Sequence, residues 1–245
     1  MKDKCTYLFA PFIFFLLFFT NIKAQILLVP EIEQEQDQWC WAAVSKCVLD
    51  CYGPPLQQCE IAEYTRNVAT FNNFGTVDCC VDPNQGCNYW NYNYGASGSI
   101  EDILSNFAGI ITTNSSSILS ELQWQAEITN NTPVIIRFGW NNGGGHFVVG
   151  YGVSGLDYYT MDPWFNEGYT ISTYNWIVTG QGGGGSWTHT QTLSSPLPTP
   201  IEEQFANKEL LKITDLLGRE TKGTKNEVLF YIYDDGTVEK RIIIE

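Results

Sequence analysis

Apolar positions after Cys40 recur with the period of a helix. Counting from Cys40, Val44, Cys47, Val48 and Cys51 fall at i+4, i+7, i+8 and i+11, one face of an amphipathic helix. A polar, acidic run, Gln34 to Gln38, precedes it, and Asp37 is the expected N-cap. Ser99–Phe107 reads as a second helix, opening S-I-E-D with a Ser cap and an acidic first turn. Ser117–Thr129 is another, carrying Ile118, Leu119, Leu122, Trp124 and Ala126 and stopping before Asn130-Asn131. Between them, Gly53 to Tyr94 is rich in Gly, Pro, Asn and Cys. It reads as loops with a short helix around Glu60–Val68. After Pro133 the pattern changes to strands: Val134–Trp140, Phe147–Tyr151, Tyr158–Met161 and Tyr169–Tyr174, divided by Gly, Asn and Asp turns. Helices first and strands later predict an α+β domain in two parts. Gly182–Gly185 reads as a flexible loop, with a flap over a cleft as the alternative.

Both ends of the chain have a different texture. Lys2 and Lys4 precede an apolar run, Tyr7 to Phe19, and a polar break through Lys23-Ala24. That order predicts a secretory signal peptide over residues 1–24, and the run is short for a membrane anchor, the rival reading. No later segment is long and apolar enough to span a bilayer. At the other end, Ser194–Pro200 is a linker by composition. Lys208–Glu245 holds seven of the thirteen basic residues and no cysteine. It predicts two strands, Val228–Tyr233 and Val238–Ile244, turned at Asp234-Asp235-Gly236. So short a segment suits a tag or docking module better than an independent core.

Charge and cysteines narrow the possibilities. The net charge of −14 becomes −16 without residues 1–24, and from Gln25 to Ala206 only Lys46, Arg66 and Arg137 are basic. Such a surface repels phosphate backbones and anionic lipid, which argues against nucleic-acid binding. Export makes disulfides the expected state of cysteine. Cys5 leaves with the signal peptide, and Cys40, Cys47, Cys51, Cys59, Cys79, Cys80 and Cys87 remain, an odd number. Three disulfides among the last six would leave Cys40 free, with the pairing open. The adjacent Cys79 and Cys80 do not suit each other as partners. A metal cluster is disfavoured, because no C-x-x-C occurs and neither histidine lies near.

Cys40 then stands at the start of a helix, where the macrodipole favours the nucleophilic thiolate. The alternative is one more half-cystine or core cysteine. The chain has only His146 and His189. His146 lies in GGGHFVVGYG, at the mouth of a strand, with a turn near Ser154-Gly155 and a second strand ending at Asp162. A hairpin centred there opposes residues whose numbers sum to about 308 or 309, which puts Asp162 across from His146. A slip of one residue would turn the carboxylate away. Singly, each residue also has a bland reading: a strand-end histidine, and an Asp-Pro that starts a turn.

Together, Q-x5-C-W-A-A (Gln34 to Ala43), G-H-F-V-V-G-Y-G and D-P-W resemble the papain-like cysteine peptidases. The likeness is greatest to the bacterial branch that includes a secreted effector protease of plant pathogens, and more distant to the bacteriocin-leader peptidases. It covers about Ile26 to Trp187. It implies a papain-like α+β fold over residues 25–190, Cys40 as nucleophile, His146 as base and acid, and Asp162 as the residue orienting His146. It also implies Gln34 as the oxyanion-hole glutamine, with Gln36 and Gln38 at the wrong distance, and neither metal nor organic cofactor. Trp164 would shield the His–Asp pair or be plain core. Asp162 departs from the Asn of papain itself, the cysteine-rich insert has no counterpart, and no propeptide fits between Ala24 and Gln34. KITDLLGRE and FYIYDDGTVEKRIIIE in the tail are similar to the C-terminal sorting domains of type IX secretion substrates. That resemblance implies a linker over 191–206, a sorting domain over 207–245, type IX machinery as partner, and a secreted or surface location.

The expectation is a monomeric, exported peptidase that hydrolyses protein or peptide substrates through a Cys-His-Asp triad and a thioester. Two alternatives stand beside it. One is a papain-like transamidase or deamidase using the same thioester. The other is a noncatalytic, disulfide-held binding module presenting Tyr89-Trp90-Asn91-Tyr92.

Overall fold

The computed structural model describes residues 24–53, 55–194, 210–215, 218–221, 228–233 and 238–242. The expected signal peptide up to Lys23, most of the expected linker and the expected 234–236 turn lie outside them. Two compact units divide the chain, residues 1–197 and 198–245.

In the larger unit a helical part is built around α1 (Cys40–Leu49), which buries Trp41 to Ser45 and Cys47 to Leu49. α2 (Gln58–Val68) and α3 (Ile100–Ala108) pack against it. Local chemistry sets their ends. Ser99 accepts the Asp102 N–H at the start of α3, and Gly109 closes it in the left-handed region that lacks a Cβ penalty. α4 (Glu121–Thr129) begins later than expected, because Ser120 and Gln123 form a capping box while Ser117 belongs to the turn before it. α1 is different. Its N-cap is Trp39 with no side-chain cap, so the expected role of Asp37 is corrected.

The sheet is antiparallel throughout. Its strands are β1 (Gln25–Ile26), β2 (Thr112–Ser115), β3 (Val134–Trp140), β4 (Gly145–Ser154), β5 (Asp157–Asp162), β6 (Gly168–Thr173) and β7 (Gly185–Leu193). The order is β2-β7-β3-β4-β5-β6, with β1 on β4. Two short helical turns, α5 (Tyr174–Val178) and α6 (Gly180–Gly183), join β6 to β7. α1 lies against β4, which brings the start of the helix to the sheet. This is the α+β, papain-like architecture the sequence predicts. β2 and β7 were not foreseen. β7 follows a glycine run and alternates Thr, His and Gln, so its apolar signal is weak, although its β-branched threonines were a usable cue.

The hairpin register also differs. β4 and β5 turn at Gly155-Leu156, and Ser154 pairs with Asp157. Pairs sum to 311 near the turn and to 310 beyond a bulge at Tyr151, where Gly150 meets Thr160 and Val149 meets Met161. Asp162 therefore continues the ladder opposite Val148. His146 is its diagonal neighbour on the same face.

The cysteine-rich insert carries two disulfides, Cys59–Cys80 and Cys79–Cys87. The expectation that Cys47 and Cys51 are also half-cystines is corrected: both are thiols. Each bonds a nearby carbonyl instead, Cys47 Sγ to Pro30 O and Cys51 Sγ to Cys47 O, both at 3.3 Å. Burial pushes Cys47 well up and Cys51 to about 11, so neither favours the thiolate. The insert docks on the start of α1. Trp39 and Trp41 donate their indole N–H groups to the Cys87 and Tyr89 carbonyls, each at 2.9 Å, and the Gln38 N–H reaches Asn88 Oδ1. That holds the insert beside the cysteine it follows in sequence.

The smaller unit contains β8 (Leu210–Thr214), β9 (Val228–Tyr233) and β10 (Val238–Ile242), an antiparallel sheet in the order β10-β9-β8. Among the described residues no helix is long and apolar enough to cross a membrane.

Candidate active site

Three elements meet at one open cleft of about 1260 Å³: the start of α1, the start of β4 and the end of β5. Cys40, His146 and Asp162 all line it. Cys40 is half-buried at the first position of α1, where the backbone N–H groups have no intrahelical acceptor. His146 is buried, and its Nε2 donates to Asp162 Oδ1 at 2.6 Å. With that nitrogen committed, Nδ1 is the one left to face Cys40, whose interaction with the ring helps raise the imidazole.

The electrostatics follow from these contacts. Burial works against a charged imidazole, but the Asp162 hydrogen bond and the Cys40 contact outweigh it and push His146 up to about 10. The imidazole therefore suits the protonated form across neutral pH. Trp140 lies parallel to its ring at 6.2 Å, an arrangement that favours an imidazolium, and Trp164 meets it edge-on at 5.9 Å. Trp164 is 46% exposed, so it shields the pair from the cleft side and is not core. Trp140 carried no signal in the sequence beyond being an aromatic strand end.

Asp162 is held from three directions. Besides His146, its Oδ1 accepts the Trp164 backbone N–H at 2.8 Å, and Oδ2 accepts from Gln181 Nε2. Gln181 immediately precedes the Gly182–Gly185 run expected to be a loop, and it holds φ +53°, a left-handed conformation uncommon outside glycine. Sequence reasoning missed it. Only its place as the one long polar side chain in a run of glycines marked it.

Gln34 is buried at 1% exposure and does not line the cleft. Its Nε2 donates to the carbonyls of Gln36 at 2.9 Å and Asp37 at 3.1 Å, while Oε1 is buried without a partner among the described residues. Gln38 does line the cleft, as do Asp37, Trp90 and Tyr92. The cysteines of the insert take no part. Glu63, Cys79 and Cys87 are close together, but both thiols are spent on their disulfide, which leaves no ligand set for a metal.

The family model of the Peptidase_C39 like family matches residues 26–195. The chain belongs to that family. This places it among the cysteine peptidases. No curated protein matches. Three solved structures are similar at low identity. A C39-like peptidase from Bacillus anthracis is 16% identical over 72% of this chain and 100% of its own, with a TM-score of 0.47. The peptidase domain of Streptococcus ComA, a bifunctional ABC transporter involved in quorum sensing, is 17% identical over 67% and 96%, with a TM-score of 0.45. A double glycine motif protease from an AMS/PCAT transporter, solved with its leader peptide, is 19% identical over 69% and 93%, with a TM-score of 0.40.

Proposed function

We propose that this peptidase is an exported enzyme that hydrolyses peptide bonds in protein or peptide substrates through Cys40, His146 and Asp162. The observation that carries this reading is the unbroken chain of contacts from the Cys40 thiol through the imidazole to a carboxylate fixed on three sides. In this reading Cys40 attacks as the thiolate, and His146 carries the proton. Attack on the scissile carbonyl forms an S–C bond and an oxyanion. Collapse breaks the C–N bond, and His146 gives its proton to the leaving amine. Water, relieved of a proton by the neutral imidazole, then cleaves the thioester and restores the pair.

The oxyanion is met by the Cys40 backbone N–H and a second donor. Gln34 holds that role in this reading by its place six residues before the thiol, and it must release the Gln36 or Asp37 carbonyl to reach it. Gln38 is the competing donor from the cleft wall. Loss of activity in Gln34→Ala with retention in Gln38→Ala supports Gln34; the reverse result transfers the role.

The C-terminal unit serves, in the same proposal, as a type IX sorting signal. Deleting Lys208–Glu245 should leave activity intact and retain the protein inside the cell. Normal export of the shortened chain would refute that role.

The decisive experiment is alkylation of the unreduced chain with iodoacetamide at pH 5 and pH 8, followed by intact mass. One fast adduct is expected even at pH 5, absent in Cys40→Ala and slowed in His146→Ala. Cys47 and Cys51 should react later, because burial and carbonyl hydrogen bonds hold them as thiols. A Cys40 that is inert, or indifferent to His146, would overturn the proposal.

A further inference from the structure

Between Gln25 and Ala206 the chain has three cations, and two of them are neutralised locally. Lys46 pairs with Asp50 at 2.8 Å, and Arg66 is paired with Glu63. The third, Arg137, lines the cleft together with Cys40 and His146. Among the described residues no carboxylate lies within salt-bridge distance of it. In so acidic a chain, the one uncompensated cation among the described residues of this unit stands beside the nucleophile.

Its position is built and not incidental. Arg137 is half-buried in the middle of the sheet, on β3 between β4 and β7. The guanidinium rests over Gly139 and Gly145, which are cross-strand partners. A Cβ on Gly145 would come within 2.8 Å of Nη2, and one on Gly139 within 3.3 Å of Nη1, so any side chain there would crowd the group. Nη1 donates to Thr188 Oγ1 at 3.0 Å and Nη2 to the Gly144 carbonyl at 3.1 Å. Two neutral oxygens hold it in place and leave its charge and remaining N–H groups uncommitted. It is near enough to Cys40 for the two charges to interact. The rest of the cleft is unfriendly to anions, since Asp37 and Glu167 also line it. His146 is already paired with Asp162, so Arg137 is the place in the cleft where an anionic group meets an uncommitted charge.

We propose that Arg137 forms a subsite for a carboxylate of the substrate, an acidic side chain or a free C-terminus, next to the scissile bond. A planar guanidinium with free donors is the side chain suited to a carboxylate. This inference rests on the peptidase reading for its substrate, but the subsite itself can be tested without one.

The test compares the rate of Cys40 alkylation by iodoacetate, an anion, with that by neutral iodoacetamide, in the full chain. The ratio cancels any effect of Arg137 on the thiol itself. The iodoacetate-to-iodoacetamide ratio should fall about fivefold in Arg137→Gln, the upper range for a partly exposed charge pair, and much less in Arg137→Lys. In wild-type protein the ratio should decline as salt rises, which reports the charge without any substitution. A ratio indifferent to both Arg137→Gln and salt overturns the subsite.

The source of the carboxylate is read from cleavage sites in a reduced, alkylated protein substrate, mapped by mass spectrometry. Acidic residues at one fixed position, lost in Arg137→Gln, identify a side chain. Cleavage at a fixed distance from the end, abolished by amidating the C-terminus of a test peptide, identifies the terminal carboxylate. Cleavage with neither preference overturns the proposal. If nothing is cleaved while the alkylation ratio still answers to Arg137, the anion subsite stands and the peptidase reading falls.

Discussion

The two flanks of β3 each present a histidine, and the two imidazoles have opposite chemistry. On the β4 side, Phe138 pairs with His146; on the β7 side, Arg137 pairs with His189. His146 is buried, yet Asp162 and Cys40 push it up to about 10. His189 is only half-buried, yet burial and the neighbouring Arg137 push it down. Its Nδ1 meets Thr188 Oγ1 at 2.9 Å, and among the described residues no carboxylate holds it. Burial alone would have lowered both. The sign is set by the partner, so a strand histidine becomes an acid–base group only where the fold supplies a negative charge on the same face.

The largest effect that would break this contrast is loss of activity. Cys40→Ala and His146→Ala should each reduce cleavage of an unfolded protein substrate by at least about 10³-fold, as when a member of a catalytic triad is removed. His189→Ala should leave the rate within about twofold, since His189 does not line the cleft. A large loss in His189→Ala would erase the difference between the flanks.

Asp162→Asn should cost less, about 10²-fold, in line with the low end of positioned acid–base contributions. An unchanged rate would refute the orienting role of Asp162. Gln181→Ala removes one hydrogen bond to a charged acceptor and should cost about tenfold. The loss should appear together with a lower His146 pKa. A rate loss with the pKa unmoved would mean that Gln181 acts on loop structure and not through Asp162.

The gentlest test uses the fact that the chain has only two histidines. Their NMR titrations should separate, one moving only near pH 10 and the other below the ordinary 6.5. Stability should carry the same two signs. The folded-state pKa of His146 exceeds its unfolded value, so its contribution is complete below about 6.5 and is lost as pH rises through about 10. His189 is depressed when folded, so its contribution is present above about 6.5 and lost as pH falls below that. Unfolding curves of His146→Gln and His189→Gln against wild type would show the two trends. Parallel trends would contradict the assigned partners.

Much of this arrangement was legible in the chain. The periodicity after Cys40 marked α1, Ser99 marked the start of α3, and the β-branched run Val134–Trp140 is β3 to the residue. Where the reading failed, a different contact prevailed. The cysteine arithmetic required every insert-side thiol to find a partner, but Cys47 and Cys51 found carbonyls of the N-terminal segment and of α1 itself. β7 was hidden by polar threonines that are nonetheless placed inside the sheet, with Thr190 and Gln191 fully buried.

By itself the sequence determined which residue types carry the chemistry and on which elements they sit, because helix period and strand composition are local properties. The meeting of His146 with Asp162 was decided only in three dimensions. β4 is buried on both faces for most of its length, so alternation along it does not choose a register. The pairing at the turn, carried on unchanged, would put Asp162 opposite Val149 and on the wrong face. The extra residue at Tyr151 shifts the ladder by one and returns the carboxylate to the imidazole. That correction depends on packing across the whole sheet. No local pattern around His146 or Asp162 encodes it.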